Sequence, residues 1–195
     1  RPELAGRLHT TGVPRSAADR FRLQPCGAGP DRGAAPCFGQ WTPMSSPPLP
    51  GVPEPDKVSP IAIAMWVSDA ASQALGMELL EVRPGYAKLR MGVRPDFLNG
   101  LGTCHGGYMF LLADSTFAFA CNSHNQRAVA AGAQIEFLAP PQRGDVLVAE
   151  GIEQHLAGRT GFYDVAVTDQ NGRRVALFRG RSAAVRGEHI PGAQS

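Results

Sequence analysis

Between Gly106 and Ser123 the chain reads GGYMFLLADSTFAFACNS, a run that is apolar on almost every helical face and carries one carboxylate, Asp114, in its middle. A transmembrane helix needs about 20 apolar residues. This run is shorter and holds an acid, so a buried core helix accounts for it better than a membrane span. An isolated buried carboxylate is costly, so Asp114 must be compensated. One way is a hydrogen bond in the core or at an interface. The other is service as a general base or nucleophile in a water-poor cleft. At helical spacing its neighbours are Phe110, Leu111, Phe117 and Ala118, which makes its face apolar unless a substrate or partner lies over it.

The segments on either side set the fold class. Ser59 suits an N-cap with Pro60 at the first helical position, and Gly76 suits a stop, so a helix is predicted over residues 60–75. MELLEVRPGYAKLRMGV then gives two extended runs around Pro84-Gly85, a hairpin. After the apolar helix come four candidate strands, RAVAAGAQIEFLAP, GDVLVAEGIEQHL, TGFYDVAVTDQ and RRVALFRGRSAAVR. Asn171-Gly172 between the last two is a two-residue hairpin signal. Helix, two strands, helix, four strands, without βαβ alternation, argues for an α+β fold with an antiparallel sheet and against a Rossmann-type arrangement.

Residues 1–56 hold most of the proline and show no apolar periodicity, and are expected to be disordered or extended. The first Met is Met44, so residues 1–43 are read as an upstream extension, an expectation that peptides from SAADRFRLQPCGAGPDR in the native protein would overturn. The folded domain is expected over residues 57–188, with a flexible tail at 189–195. Six arginines fall before residue 44, leaving the remainder with 13 basic and 14 acidic residues. So balanced a domain gives no sign of nucleic-acid binding. Cys26, Cys37, Cys104 and Cys121 form no C-x-x-C pair, which suits reduced thiols and no zinc site. No secretory h-region stands at the amino end, and a cytoplasmic protein is expected.

NGLGTCHGG places Gly100, Gly102, Gly106 and Gly107 around a helix start. The first N–H groups of a helix lack intrahelical partners and sit at its positive end, a favourable place for charge developing on oxygen. Flexible turns would use the same glycines. Gly107 and Asp114 are seven residues apart, roughly 10 Å along a helix. If both act on one carbonyl, the acid must come from a second protomer with an antiparallel helix, and a two-fold dimer would hold two equivalent sites.

NGLGTCHGGYMFLLADSTFAFACNS, with IEFLAPPQRGD, GRTGFYDVAV and VALFRGRS, resembles the PaaI branch of the hotdog-fold acyl-CoA thioesterases over about residues 58–187. The resemblance implies a long helix wrapped by an antiparallel sheet and hydrolysis of an acyl-CoA, phenylacetyl-CoA or hydroxyphenylacetyl-CoA, in phenylacetate catabolism. It further implies that the Gly107 N–H polarises the thioester carbonyl, and that Asp114 of the facing protomer activates water or attacks. Asn99 and His105 match loop residues that shape the carbonyl site. Some related enzymes carry a His two residues before this Asn; Phe97 stands there, and that position has no catalytic role. Gly106, Asn122, Ser123, Arg159, Arg179 and Arg181 are candidates for holding the substrate, Asn122 and Ser123 equally for capping the helix. Arginine suits CoA phosphates, although scattered strand arginines are more often solvated. No metal or separate cofactor is expected, CoA being part of the substrate, and the assembly implied is a dimer or paired dimers. The alternatives are a non-hydrolytic acyl-CoA-binding module, a broad-specificity acyl-CoA thioesterase, and a hydratase. The hydratase is disfavoured because His105 lies nine residues from Asp114.

Overall fold

In the computed structural model, which describes residues 57–193, the apolar run is one unbroken helix. The stretch expected as an extension, residues 1–56, lies outside the described residues. In chain order the elements are α1 (Pro60–Ser68), α2 (Ala70–Ala74), β1 (Glu78–Arg83), β2 (Tyr86–Gly92), α3 (Gly106–Asn122), β3 (Gln126–Phe137), β4 (Val146–Ala157), β5 (Thr160–Thr168) and β6 (Arg174–Glu188). The strands form one sheet in the order β1-β2-β4-β5-β6-β3, with every neighbouring pair antiparallel. This is the α+β hotdog arrangement that the resemblance implies.

The sheet curls around α3 because the helix buries bulk and the strands leave room for it. Leu112, Ala113, Thr116, Phe117 and Ala120 are buried. The Phe117 ring packs 5.5 Å from that of Tyr163 and 5.8 Å from that of Phe178. Beneath it lies Gly180 of β6, where a Cβ would stand 2.8 Å from the Phe117 ring. A glycine in mid-strand costs conformational entropy, and here the cost is offset by letting an aromatic ring lie directly on the backbone.

Two local expectations are corrected. The helix read over residues 60–75 breaks at Asp69, whose N–H donates to Trp66 O to close α1 while its carboxylate accepts from Ser72 N to cap α2. The short polar side chain that would be neutral inside a helix is used as a cap. The bend lets Trp66 pack 6.0 Å from Phe119 and brings Ser72 Oγ within 2.9 Å of Ser115 Oγ. The β5–β6 connection is longer than the two residues expected, since Thr168 pairs with Arg174. Asp169 organises it, accepting from the backbone N–H groups of Asn171 and Arg173 and from Arg173 Nε. Within the stretch expected as a tail, Asn125 Nδ2 donates to Ile190 O and Ala193 O, and its Oδ1 accepts from Ile190 N. Among the described residues no helix is long and apolar enough to cross a membrane.

Candidate active site

The amino end of α3 is built by a loop that spends nearly all its polar groups on itself. Asn99 Oδ1 accepts from Leu101 N at 2.8 Å and Thr103 N at 3.3 Å, and Nδ2 donates to Thr103 Oγ1 at 3.0 Å. Its role here is to fold the loop. Cys104 N donates to Pro141 O and His105 N to Phe97 O, while the Phe97 ring stacks on Tyr108 with centroids 4.0 Å apart. The helix start is thus clamped between the loop and the segment that follows β3.

His105 is the N-cap. Its Nδ1 accepts from Gly107 N at 2.9 Å, and its carbonyl accepts from Tyr108 N at 3.0 Å. The amide that the resemblance nominates for the substrate carbonyl, that of Gly107, is therefore already bonded. The free donor is one residue earlier, because Gly106 N–H has no partner among the described residues. The pattern HGG signals a helix start but not which of its amides the histidine ring will occupy; that depends on the ring's rotamer.

Asp114 lies two turns down the same helix, half-buried, its carboxylate without a hydrogen bond or ion pair to any described residue. Loss of water holds its carboxyl above the usual carboxylate range. Ser115 beside it is bonded to Ser72, but Gly107 and Leu111 are exposed and Ala118 partly so. Asp114 therefore belongs to a stripe of α3 that neither the sheet nor α1 and α2 cover. Next to this stripe, β3 is the outermost strand and is exposed along nearly all of its length.

A cavity of about 400 Å³ opens at the same helix end, lined by Asn99, Thr103, Cys104, Gly106, Met109 and residues 137–140. Phe137 is among the lining residues that the sequence did not nominate. It is the last residue of β3, and its ring packs so closely on Gly106 that a Cβ there would stand 2.9 Å from Phe137 Cζ. The fragment IEFLAP contains it, but nothing in that fragment shows which face the ring takes.

The other nominated residues do structural work. Asn122 is buried, donating from Nδ2 to Ala118 O and Ala128 O and using Oδ1 for Ala128 N and the His189 ring. Ser123 Oγ donates to Ala120 O and accepts from Gly85 N. Both are buried and fasten the end of α3 to its surroundings. Arg159 donates twice to Ala184 O, Arg181 donates to Ala131 O, and Arg179 forms a two-pronged pair with Asp164 at 2.6 and 2.7 Å. None of the three lines the cavity at the helix start. Burial pushes the Cys104 thiol up to about 11 and the Cys121 thiol to about 12, so neither is a ready nucleophile. Among the described residues no group of three or more His, Cys, Asp or Glu could hold a metal ion.

Residues 101–176, which include α3 and the loop from Leu101 onward, match the Thioesterase superfamily. Over 126 residues the chain is 43% identical to acyl-coenzyme A thioesterase PaaI of Escherichia coli K12, covering 65% of this chain and 90% of that protein. The chain belongs to the PaaI family of acyl-CoA thioesterases. The solved E. coli PaaI structure superposes with a TM-score of 0.64 at 42% identity, covering 65% of this chain and 92% of the other. A Streptococcus mutans protein, smu.793, solved with acetyl-CoA bound, superposes with a TM-score of 0.55 at 28% identity, over 57% of this chain and 90% of that one. As a member of the PaaI family the chain is a thioester hydrolase acting on acyl-CoA.

Proposed function

We propose that the thioester hydrolysed is an aryl-acetyl one, phenylacetyl-CoA or hydroxyphenylacetyl-CoA, in cytoplasmic phenylacetate catabolism. Support comes from the solved E. coli relative, described as belonging to the phenylacetic acid degradation operon. It also comes from the apolar character of the cavity beside Gly106. The site is completed by a two-fold dimer, and two such dimers pair as a tetramer. Gly106 and Asp114 are eight residues apart, roughly 12 Å on one helix, too far to act on one carbonyl. An antiparallel pair of α3 helices brings Gly106 of one protomer to Asp114 of the other.

In this arrangement the Gly106 N–H donates to the thioester carbonyl, with the helix dipole behind it, and stabilises the negative charge that develops on that oxygen. The Asp114 carboxylate takes a proton from water as the water oxygen attacks the carbonyl carbon. Collapse of the tetrahedral intermediate breaks the C–S bond, and the departing CoA thiolate takes up the proton, leaving the free acid. His105, Asn99 and Thr103 hold the helix start still.

The observation that carries this reading is Asp114 itself, a half-buried carboxylate with no partner among the described residues, on an uncovered stripe of the helix whose first amide is free. The test is thiol release by the full chain from phenylacetyl-, hydroxyphenylacetyl-, benzoyl- and straight-chain acyl-CoAs, as wild type and Asp114→Asn. Hydrolysis highest on the aryl-acetyl substrates, and lower by a factor of about 10² to 10⁴ in the variant, is the expected result. An unchanged rate in a folded Asp114→Asn would show the carboxylate to be structural. A preference for straight chains would remove the aryl-acetyl assignment.

A further inference from the structure

We infer that Phe137 sets the size of the acyl group this enzyme accepts. The inference rests on the reading of Gly106 as the residue that receives the thioester carbonyl. The Phe137 ring packs directly on Gly106, with Cζ 2.9 Å and Cε1 3.2 Å from where a Cβ would stand. In this proposal the acyl substituent of a carbonyl bound to the Gly106 N–H lies on the side of this ring. The space available to that substituent is the cavity of about 400 Å³ whose wall the ring forms.

The rest of the lining says what kind of group fits. Met109, one turn along α3, and Cys104 are buried, and Leu138, Ala139 and Pro140 continue the apolar wall. The two polar side chains in the lining, Asn99 and Thr103, are bonded to each other. The cavity presents no charged side chain, so it suits the uncharged apolar part of the substrate. Phe137 is also a wall member that lies outside the buried core of the protomer. Its side chain belongs to a residue 52% exposed at the end of an edge strand, whereas Met109 and Cys104 are part of the buried core.

The test is kcat/KM of the full chain for butyryl-, decanoyl-, phenylacetyl- and naphthylacetyl-CoA, as wild type, Phe137→Ala, Phe137→Leu and Phe137→Trp, with light scattering to check assembly. Phe137→Ala should raise naphthylacetyl-CoA relative to butyryl-CoA by about tenfold or more, the scale on which apolar pockets discriminate. Phe137→Leu should fall between, and Phe137→Trp should lose the aryl substrates while keeping butyryl-CoA. A parallel change in all four substrates, as expected if the ring touches the pantetheine arm or only supports the loop, would overturn the inference. So would unchanged ratios in folded variants. The aryl-acetyl assignment fails separately, if wild type prefers the straight chains; the ratio of decanoyl- to butyryl-CoA then still reads the effect of Phe137.

Discussion

In the proposed mechanism Asp114 serves the chemistry while being unfavourable for stability. Burial without a partner raises its pKa. A carboxyl whose folded pKa lies above its unfolded value contributes stability fully below the unfolded value, and loses it as pH rises through the folded one. At neutral pH the ionised group therefore costs the fold. Asp114→Asn should abolish most hydrolysis yet melt at the same temperature as wild type or higher, which scanning calorimetry at pH 7 and pH 4 would check, the gain shrinking at the lower pH. The acid limb of the rate profile should lie above the ordinary carboxylate range near 4, with activity rising as pH passes through the elevated value. A limb at or below about 4 would show that another group titrates. The two buried cysteines give a second expectation: native protein should resist iodoacetamide at Cys104 and Cys121, and unfolded protein should react at both, as peptide mass spectrometry would show.

At the scale of elements, α3 is held at each end by different means, and the two ends respond differently to mutation. The amino end is fixed by the folded loop and the His105 cap, and the carboxyl end by Asn122 and Ser123, which reach β3, the β1–β2 turn and His189. Asn122→Ala would remove the Asn122 acceptor of Ala128 N–H and the Nδ2 donor that bridges Ala118 O and Ala128 O. It should cost about 2–3 kcal/mol, seen as a melting temperature lower by several degrees in calorimetry, while kcat of the remaining folded enzyme stays within a few-fold of wild type. A large loss of kcat at unchanged stability would return Asn122 to the substrate site. The hairpin at Pro84-Gly85, the cap at Ser59 and the extent of α3 were legible because each depends on local chemistry. The break at Asp69 was not, since capping and helix-interior roles of an aspartate differ only by where Trp66 and Ser72 find partners.

For the whole molecule, the proposed site is shared between protomers, in line with the exposed strand β3 and the uncovered stripe of α3. Gly106→Val and Asp114→Asn proteins, each inactive alone, should regain thiol release when co-refolded. A statistical mixture gives mixed dimers with one intact site in two, about a quarter of wild-type activity. No recovery, with mixed dimers demonstrated by native mass spectrometry, would place both groups of a working site on one chain. The sequence by itself determined the α+β class, the course of the buried helix, its glycine-rich start and its single carboxylate, because these follow from apolar periodicity, capping chemistry and the cost of burying charge. Tertiary structure alone decided that the His105 ring takes the Gly107 amide and leaves that of Gly106 free, that Asn122 and Ser123 are anchors, that the arginines are occupied within the sheet, and that Phe137 lies over Gly106. Each of these depends on a rotamer or a contact between residues distant in the chain, which residue type and spacing do not specify.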